Sequence, residues 1–336
     1  MAIVGTTYSG TESKWGYAQE GTFGTATADA GQFWQVLGPM PSIDRGILIV
    51  NEPQFDGSRV NQDANVRHID EGQLRVISFS DMLVCREDLG ELLYGVCQNV
   101  SEGGATAYEK TYTIDETTTQ PVFSSDAGYF ATVAVFDPIA AYHQKYTSCI
   151  LRTLTLTADL TGDGLLRASG EWISGFAADT TATLSGTWGY YTQAYYYMNK
   201  PTLKQIADVD IVLYGFDLTI SNNAVIMSTD SSGNAESYHL PSYSVTGNLK
   251  VKYDTAVQGL LADHIAGTDR EIQIATGTDG ATGNFDFLLP ACTFSGYDKD
   301  YGEVRGQAIN LPFTANRKAA GDLAIITVSD GLDQSW

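Results

Sequence analysis

Acidic residues at a predicted turn are the first candidates for chemistry in this chain. Asp159, Asp163 and the glycines around them resemble the start of a calcium-binding loop, in which carboxylates at alternate positions supply oxygen ligands. The twelfth position of such a loop needs a bidentate glutamate but holds glycine here, and Glu171 comes one residue late. We therefore predict a β-turn capped by aspartate side chains, with Asp298 and Asp300 at a related turn. Weak cation binding at these turns is the alternative.

A run of aromatic residues offers a second kind of chemistry. The chain reads WGYYTQAYYYMN from residue 188 to 199, and in a strand Tyr195 and Tyr197 would share one face. Tyrosine rings supply flat apolar area with a polar rim, so this face could stack sugar rings. A strand packed at a domain or subunit interface is the interpretation that we favour. A glycosidase would also need two opposed carboxyl groups, which a sequence does not reveal.

Motifs of common catalytic and cofactor sites are absent from the sequence. It contains no HExxH, no GxSxG, no Walker lysine loop and no GxGxxG after a predicted strand. The histidines are far apart, and we expect His264 to pack on a helix face. The cysteines are scattered and are expected to be buried, reduced thiols: Cys85, Cys97, Cys149 and Cys292. We expect neither an enzyme nor a bound cofactor or metal.

The charge of the chain argues against one class of function. It has 40 acidic and 19 basic residues, for a net charge of -21. Surfaces that grip nucleic acid phosphates carry clusters of Lys and Arg, so a DNA-gripping surface is not expected. A like-charged wall would instead leave DNA free to slide, which is useful only in a conduit. Solubility is the simpler interpretation of the charge.

Composition and pattern predict a mainly β protein that is soluble. The chain has 34 glycines, and aromatic and β-branched residues recur in short alternating runs. The first residues have no basic region and no long apolar run, and no later segment approaches about 18 uninterrupted apolar residues. We expect no export signal and no membrane anchor.

Two segments have the periodicity of an amphipathic helix. In the first, the apolar positions Leu89, Leu92, Leu93, Val96 and Cys97 fall on one face, with Asp88 and Glu91 as a capping pair. In the second, the same spacing recurs at Val257, Leu260, Leu261, His264 and Ile265, shifted by 168 (257 − 89), with Thr255 and Gln258 as caps and Gly267 as the stop. Each helix is expected to bury this stripe against a sheet.

The order of elements around the two helices predicts a tandem duplication. Each helix follows a strand and precedes a strand and a long β-hairpin, and the hairpin residues Gly164 and Arg167 match Gly302 and Arg305 at a shift of 138. The fall from 168 to 138 places an insertion of about 30 residues, expected to be a loop, at about 100–128 of the first copy. We predict an N-terminal arm (1–30), a first domain (31–199) and a second domain (200–336).

Two further segments have the composition of contact surfaces. The glycine-rich arm carries Trp15, Tyr17, Glu20 and Phe23, and its aromatic rings are expected to pack on the body of the same chain or on a neighbour. The polar stretch from Gln54 to Glu71 is too long for a tight turn. It carries mixed charges that suit a polar interface: Arg59, Asp63, Arg67 and Asp70.

Two stretches of the sequence resemble a known family. The opening WGYAQEGTFGTATADAGQFWQVLG and the closing series of strand, helix GLLADHIAG, hairpin FLLPACTFSGYDKDYGEVRGQAINLPFTA and strand LAIITVSDG are similar to tail tube proteins of long-tailed bacteriophages. The resemblance implies a β-sandwich or barrel with one flanking helix per domain, whose inner sheet joins those of neighbouring subunits around a channel. A chain with two such domains would close a ring as a homotrimer, and rings would stack into the tail of the virion.

The resemblance also implies partners and contact residues. The partners would be further copies of the chain, the tail terminator, the tape measure and distal tail proteins, with double-stranded DNA in transit, and assembly would take place in the host cytoplasm. The arm, the 54–71 loop and its counterpart 228–237, with Asp230 and Glu236, become candidates for contacts between rings. An acidic lumen would let DNA pass without sticking.

Three hypotheses remain from the sequence. The first is a non-enzymatic tail tube protein for DNA delivery. The second is a carbohydrate-binding or carbohydrate-hydrolysing β-sandwich that uses the tyrosines. The third is the inner tube of a contractile injection machine, which would share the fold.

Overall fold

The structure is a computed structural model that describes sixteen segments of the chain. These are residues 13–26, 33–36, 38–44, 48–51, 66–69, 74–103, 109–114, 129–136, 143–179, 188–190, 194–198, 201–231, 233–276, 283–300, 307–317 and 321–329. Strands dominate these segments, so the prediction of a mainly β fold is confirmed.

The described segments contain three helices and 23 strands. The helices are α1 (Arg86–Cys97), α2 (Thr255–Gln258) and α3 (Leu260–Ala266). The strands are β1 (Lys14–Gln19), β2 (Phe33–Gln35), β3 (Ser42–Asp44), β4 (Leu48–Asn51), β5 (Val66–Ile69), β6 (Arg75–Leu83), β7 (Ser101–Gly103), β8 (Glu109–Ile114), β9 (Ala131–Phe136), β10 (Gln144–Asp159), β11 (Arg167–Ser174), β12 (Trp188–Tyr190), β13 (Leu203–Ile206), β14 (Val209–Asp210), β15 (Leu213–Ser221), β16 (Val225–Thr229), β17 (Ala235–His239), β18 (Ser244–Lys252), β19 (Arg270–Thr276), β20 (Asn284–Phe294), β21 (Asp298–Asp300), β22 (Ala308–Ala315) and β23 (Ala324–Ser329).

One antiparallel sheet runs through both halves of the chain. Its strand order is β3, β6, β11, β10, β15, β18, β22 and β20, and the pair β10·β15 joins the halves. We call this the central sheet. Among the described residues its first strand, β3, and its last strand, β20, do not pair with each other, so this series of strands is open at both ends.

A second layer is built from the other ends of the two longest central strands. The first part of β10 pairs with β9, which continues through β1 and β2 to β12. The first part of β20 pairs with β19 on one side and β23 on the other, and these continue through β13 to β14 and through β8 to β7. Large apolar side chains fill the space between layers, among them Trp172, Tyr17, Tyr112 and Phe285.

The strand β10 serves both layers because it changes direction at a bulge. Its pairing with β9 shifts register between Tyr146 and Cys149, and Ser148 between them has a positive φ of 47°. Beyond the bulge the sequence LTLTAD alternates, with Leu154 and Leu156 buried in the core. Threonines fall on the opposite face, which is partly open to solvent.

The two helices differ in how completely they are covered. In α1 the whole predicted stripe of Leu89, Leu92, Leu93, Val96 and Cys97 is buried. The second helix is interrupted at Gly259, which separates α2 from α3. Val257 and Leu260 are buried there, but Leu261 is 40% exposed and Ile265 is 78% exposed. The expectation that Leu261 belongs to the core is therefore wrong for the single chain, because the described residues leave that side of α3 uncovered.

The helix ends also differ in part from the prediction. Asp254, and not Thr255, caps α2, since its carboxylate accepts hydrogen bonds from the backbone N–H groups of Ala256 and Val257. Gly267 ends α3 in the left-handed conformation, as predicted. In α1 the N-cap is Cys85, whose thiol donates to the Asp88 carboxylate at 3.2 Å.

The segment predicted as an inserted loop contains two strands. β7 and β8 lie within 100–128, and β8 pairs with β23 along six residues. These two strands of the first half therefore extend the second layer at β23, a strand of the second half. The rest of the predicted insertion lies outside the described residues.

Candidate assembly surface

Hydroxyl groups line the exposed face of the central sheet. Five threonines are direct neighbours across five strands, in the order Thr155, Thr219, Thr246, Thr314 and Thr293. The Oγ1 atoms of Thr155 and Thr219 are 2.9 Å apart. A parallel row contains Ser42, Ser78, Glu171, Thr153, Ser221 and Ser244. Hydroxyl groups donate and accept hydrogen bonds without carrying charge.

Charged side chains on this face are few, and among those that the structure describes six are acidic and four are basic. Among the described residues of the central sheet and its turns, the exposed-face charges are Asp44, Asp81, Asp159, Asp163, Glu171, Asp217, Arg152, Arg167, Lys250 and Lys252. Arg152 forms an ion pair with Glu171. Arg167 Nη1 lies 3.0 Å from the Asp81 carboxylate and its Nη2 lies 2.8 Å from that of Asp163. The large negative charge of the chain is therefore not concentrated here.

The central sheet has a free edge at each end within the described residues. On one side, β3 pairs only with β6. On the other, β20 pairs with β22 from Cys292 onward, and no described strand lies on its opposite side beyond the Arg270–Cys292 pair. Unpaired strand edges expose backbone donors and acceptors and are sites for strand addition.

The acidic turn between β10 and β11 has the geometry of a capped β-turn. Asp159 Oδ1 accepts hydrogen bonds from Thr161 N at 2.9 Å and Thr161 Oγ1 at 2.7 Å, and these bonds lower the pKa of Asp159. Asp163 Oδ1 accepts from Leu165 N at 3.1 Å, and the Arg167 bond is the main cause of its lowered pKa. No cluster of metal-ligating side chains occurs in the described part of the chain. For Asp298 and Asp300 only the backbone, in β21, is described.

The described part of the predicted arm, residues 13–26, contains the strand β1 inside the fold, and the rest of the arm lies outside the described residues. Trp15 and Tyr17 are buried in β1, with Trp15 Nε1 donating to Pro39 O at 3.2 Å and Tyr17 Oη donating to Asp88 Oδ1 at 3.0 Å. Phe23 meets the rings of Phe130 and other aromatic side chains edge-on. Of the two expectations for these rings, contact with the body of the same chain is the one observed, which removes Trp15 and Tyr17 as exposed contact residues.

Glu20 fixes the bulge at which β10 bends. Its carboxylate accepts three hydrogen bonds, from Thr132 Oγ1 at 2.6 Å, Ser148 N at 2.7 Å and Ser148 Oγ at 2.7 Å. Gly24 N in turn donates to Ser148 Oγ at 2.7 Å. Burial raises the pKa of Glu20, and the three hydrogen bonds oppose that effect. Glu20 and Gly24 therefore stabilise the bulge at Ser148, from which β10 enters both layers of the fold.

Residues 194–198 of the aromatic run contain one buried and two exposed tyrosines. Tyr196 is buried, with its ring centroid 6.0 Å from that of Phe285, while Tyr195 and Tyr197 are exposed. The backbone links the end of β6 to the β10–β11 turn, because Tyr196 N donates to Val84 O and Tyr196 O accepts from Leu166 N. Residues 195–197 therefore form backbone hydrogen bonds and isolated bridges to the fold in the way that a β-strand does.

The predicted loop residues are only partly described. Asp230 and Glu236 are exposed on the β16–β17 hairpin, where Asp230 Oδ1 accepts from Asn234 N at 2.8 Å. Arg67 lies in β5, of which the backbone is described. Arg59, Asp63 and Asp70 lie outside the described residues.

Sequence reasoning missed the hydroxyl rows and the edges of the central sheet. The signal for the rows was present, since TLTLT at 153–157 alternates polar and apolar residues over one strand. The neighbours of those threonines come from other strands, so their alignment depends on pairing register. The cysteines are free and buried, as predicted.

The comparisons with known proteins agree with this architecture. A family model described as "Phage tail tube protein" matches residues 10–322. No curated protein matches the chain. No helix in the described segments has the length and apolar character needed to cross a bilayer.

Proposed function

The chain belongs to the phage tail tube protein family, and on that premise we propose that it self-assembles into stacked rings that form the conduit for DNA delivery. The family places the protein in the virion tail and makes it a structural component that associates with itself and with other tail proteins. The observation that carries the proposal is the central sheet, which crosses both halves of the chain and ends in two unpaired edges within the described residues.

We propose that the two halves are copies of one tube module. The strand order β3, β6, β11, β10, β9, β1 of the first half recurs as β15, β18, β22, β20, β19, β13 in the second. Each copy has its helix after the second strand of this order. The pair β10·β15 then represents a junction between two modules, which supports the same kind of junction between chains.

A homotrimer would close a ring of six modules. Each chain contributes two modules and one internal junction, so three chains meet through three further junctions. Such rings would stack through surfaces that include the β16–β17 hairpin, with exposed Asp230 and Glu236. The tail terminator, the tape measure and distal tail proteins would cap and fill the stack, and assembly would occur in the host cytoplasm.

The exposed face of the central sheet is the surface that we assign to the channel. Its hydroxyl rows and its small excess of acidic residues, six against four basic ones among the described side chains, favour a wall that is only weakly acidic. Such a wall would neither bind DNA phosphates nor strongly repel them. The remaining negative charge of the chain would then serve solubility and contacts elsewhere. DNA would pass without sequence recognition, since phosphates and not base edges face the wall.

Electron microscopy of the purified protein and of virions tests this function. We expect rods or stacked rings, and an averaged view along the tube axis should show three-fold symmetry with six similar modules. Labelling of the virion tube with antibodies against this chain provides an independent measurement. A protein that stays monomeric at all concentrations, in virions whose tube consists of another chain, would contradict the proposal.

A further inference from the structure

We propose that the second half of the chain carries a docking site for another protein, in the groove between α2–α3 and the β13–β14 hairpin. The segment that fits this groove inserts one aromatic side chain, preferably tyrosine, between basic residues. The site goes beyond tube assembly, because a protein other than this chain occupies it.

The groove is an open cavity of about 270 Å³ with a mostly apolar lining. Its helix side contains Ala256, Gly259, Leu260 and Asp263, and its strand side includes Val209, which is 46% exposed. A Cβ atom added to Gly259 would have no other atom within 4 Å, so the cavity is open at this position. Cofactors and drug-sized ligands occupy about 300–1,000 Å³, so this smaller cavity suits one or two side chains.

The corresponding face of α1 is covered. At the shift of 168 that relates the two helices, the four helix positions of the groove become Asp88, Glu91, Leu92 and Gly95. All four are buried. This comparison rests on the proposed correspondence of the two halves, and it shows which groups such a helix face accommodates.

Two tyrosine side chains cover that face in the first half. Tyr17 Oη donates to Asp88 Oδ1 at 3.0 Å. The ring of Tyr129 packs on Gly95, where an added Cβ atom would lie 3.5 Å from it. Burial raises the pKa of Tyr129, and the nearby charge of Glu91 adds to this effect. Aromatic rings with a hydroxyl group therefore fill the space beside α1.

A third tyrosine comes from the inserted segment of the first half. Tyr112 is buried in β8, which packs beside α1, and it lies close enough to Tyr129 to contribute to the raised pKa of that residue. The second half has no counterpart of the insertion, because the shift between the halves falls from 168 to 138 across it. In each chain Tyr112 is already fully buried, so a second copy does not offer this side chain to the groove.

Acidic side chains surround the groove. Residues 203–213 and 254–271, which contain both of its walls, include six acidic residues and two basic ones. Asp208 and Asp210 are exposed on either side of Val209. Of the basic residues, Arg270 forms an ion pair with Asp263 at 2.6 Å. Charge complementarity therefore favours a partner with lysine or arginine beside its aromatic anchor.

The cavity and the charges have different roles in this docking site. An aromatic side chain inserted into a pocket supplies most of the binding energy of a small interface. Exposed charges around the pocket mainly raise the association rate and select the partner. The site therefore requires both features in one segment of the partner.

Peptide binding to the unassembled chain, measured by isothermal titration calorimetry, tests the site. The probe is the acetylated peptide KKGYGKK. The control KKGSGKK has the same charge without the ring, and EEGYGEE has the ring with the opposite charge. We expect both controls to bind at least tenfold more weakly than the probe. Equal binding of KKGYGKK and KKGSGKK would show a purely electrostatic contact and would overturn the proposal.

A matched pair of substitutions assigns the binding to the groove. Ala256→Phe adds a ring to the groove lining and should weaken binding of KKGYGKK at least tenfold. Ala262→Phe adds the same ring to the same helix segment outside the lining and should bind as the wild type does. Both alanines are exposed, so thermal unfolding should be unchanged in both variants. Equal affinity of the two variants would contradict the assignment.

A second pair of variants tests the charges. Asp208→Asn with Asp210→Asn should weaken binding of KKGYGKK at least threefold at low salt. Asp230→Asn with Glu236→Gln removes the same two charges from the exposed β16–β17 hairpin and should have less than half of this effect. Equal weakening would show that the net charge of the chain, and not the rim of the groove, attracts the peptide, and would refute this part of the proposal.

Binding to assembled protein identifies the occupant. We expect KKGYGKK to bind assembled rods within threefold of its affinity for the unassembled chain. Loss of binding on assembly would make a neighbouring copy the occupant and would overturn the proposal. Absence of rods under microscopy would instead overturn the proposed function, while peptide binding to the single chain would remain.

Discussion

The Glu20 carboxylate should be a main stabilising contact between the first strand and the bend of β10. Its side chain is 7% exposed and accepts hydrogen bonds from Thr132 Oγ1, Ser148 N and Ser148 Oγ, each at 2.6–2.7 Å. Replacing Glu20 by alanine removes all three acceptor contacts and leaves a cavity. The backbone at Ser148, with its φ of 47°, loses the group that holds it in the left-handed region.

The expected loss of unfolding free energy in Glu20→Ala follows from the three donors that lose their acceptor. Each buried donor that loses its partner lowers the free energy of unfolding by about 1–3 kcal/mol. Removing the carboxylate also removes the cost of burying its charge, which offsets part of the loss from the three donors. We expect Glu20→Ala to lower the free energy of unfolding by about 3 kcal/mol. Glu20→Gln keeps an acceptor oxygen and the shape, and should cost about 1 kcal/mol. Thr22→Ala, an exposed neighbour, should stay within about 0.5 kcal/mol.

The same residue should give the protein a measurable pH dependence. Burial raises the pKa of Glu20 above its ordinary value of 4.5, so the folded chain holds this proton more tightly than the unfolded chain. The free energy of unfolding should therefore decrease as the pH rises from 4.5 through the raised pKa. The Glu20→Gln variant has no such proton, so the difference in stability between wild type and variant should shift towards the variant over that window.

Urea unfolding of the unassembled protein, followed by tryptophan fluorescence at several pH values, measures both effects. A loss of less than about 0.5 kcal/mol in Glu20→Ala would refute the reasoning on the three hydrogen bonds. A stability difference between the wild type and Glu20→Gln that does not change with pH would refute the reasoning on the buried carboxylate.

Three further changes test other parts of the fold. Gly247→Ala should destabilise the chain by about 1–3 kcal/mol in urea unfolding, because the new Cβ would press on the Phe313 ring and on the neighbouring strand, whereas Gly21→Ala, with open space around it, should be neutral. Asp254→Ala should cost about 1 kcal/mol in the same measurement, since it removes the side-chain cap of α2; an unchanged midpoint would contradict the capping role. Thr219→Lys should slow DNA release from virions in a salt-dependent way, because it adds a phosphate-binding charge to the assigned channel face. An unchanged release rate with intact tubes would place the channel elsewhere.

Local pattern was sufficient to predict the mainly β fold and α1. The apolar residues from Leu89 to Cys97 recur with the 3.6-residue period of a helix, so the local sequence alone predicts the helix and its buried face. All five residues of this face are buried. The same spacing predicted that Leu261 would be buried, and this prediction was wrong, because burial also depends on which residues pack over the helix. For α1 that cover includes Asn222 and Tyr243, more than 100 residues further along the chain.

Composition misled the prediction where a segment is held by distant strands. The glycine-rich start suggested an arm, yet Trp15 and Tyr17 lie in a strand with β9 on one side and β2 on the other. The polar sequence of the predicted insertion suggested a loop, yet β8 completes a sheet with β23 from the far end of the chain. In both cases the partner strand supplies the backbone hydrogen bonds that local propensity does not encode.

The hydrogen-bonded junction of β10 with β15 would have a consequence for assembly of the proposed tube. It forms as the chain itself folds, at an effective concentration that the linking segment sets and that does not depend on the protein concentration. In the proposed ring of six modules, three molecules would associate instead of six, and each association would lose translational and rotational entropy once for two modules. The covalent link would thereby lower the protein concentration at which rings nucleate, and it would exclude a ring with an odd number of modules.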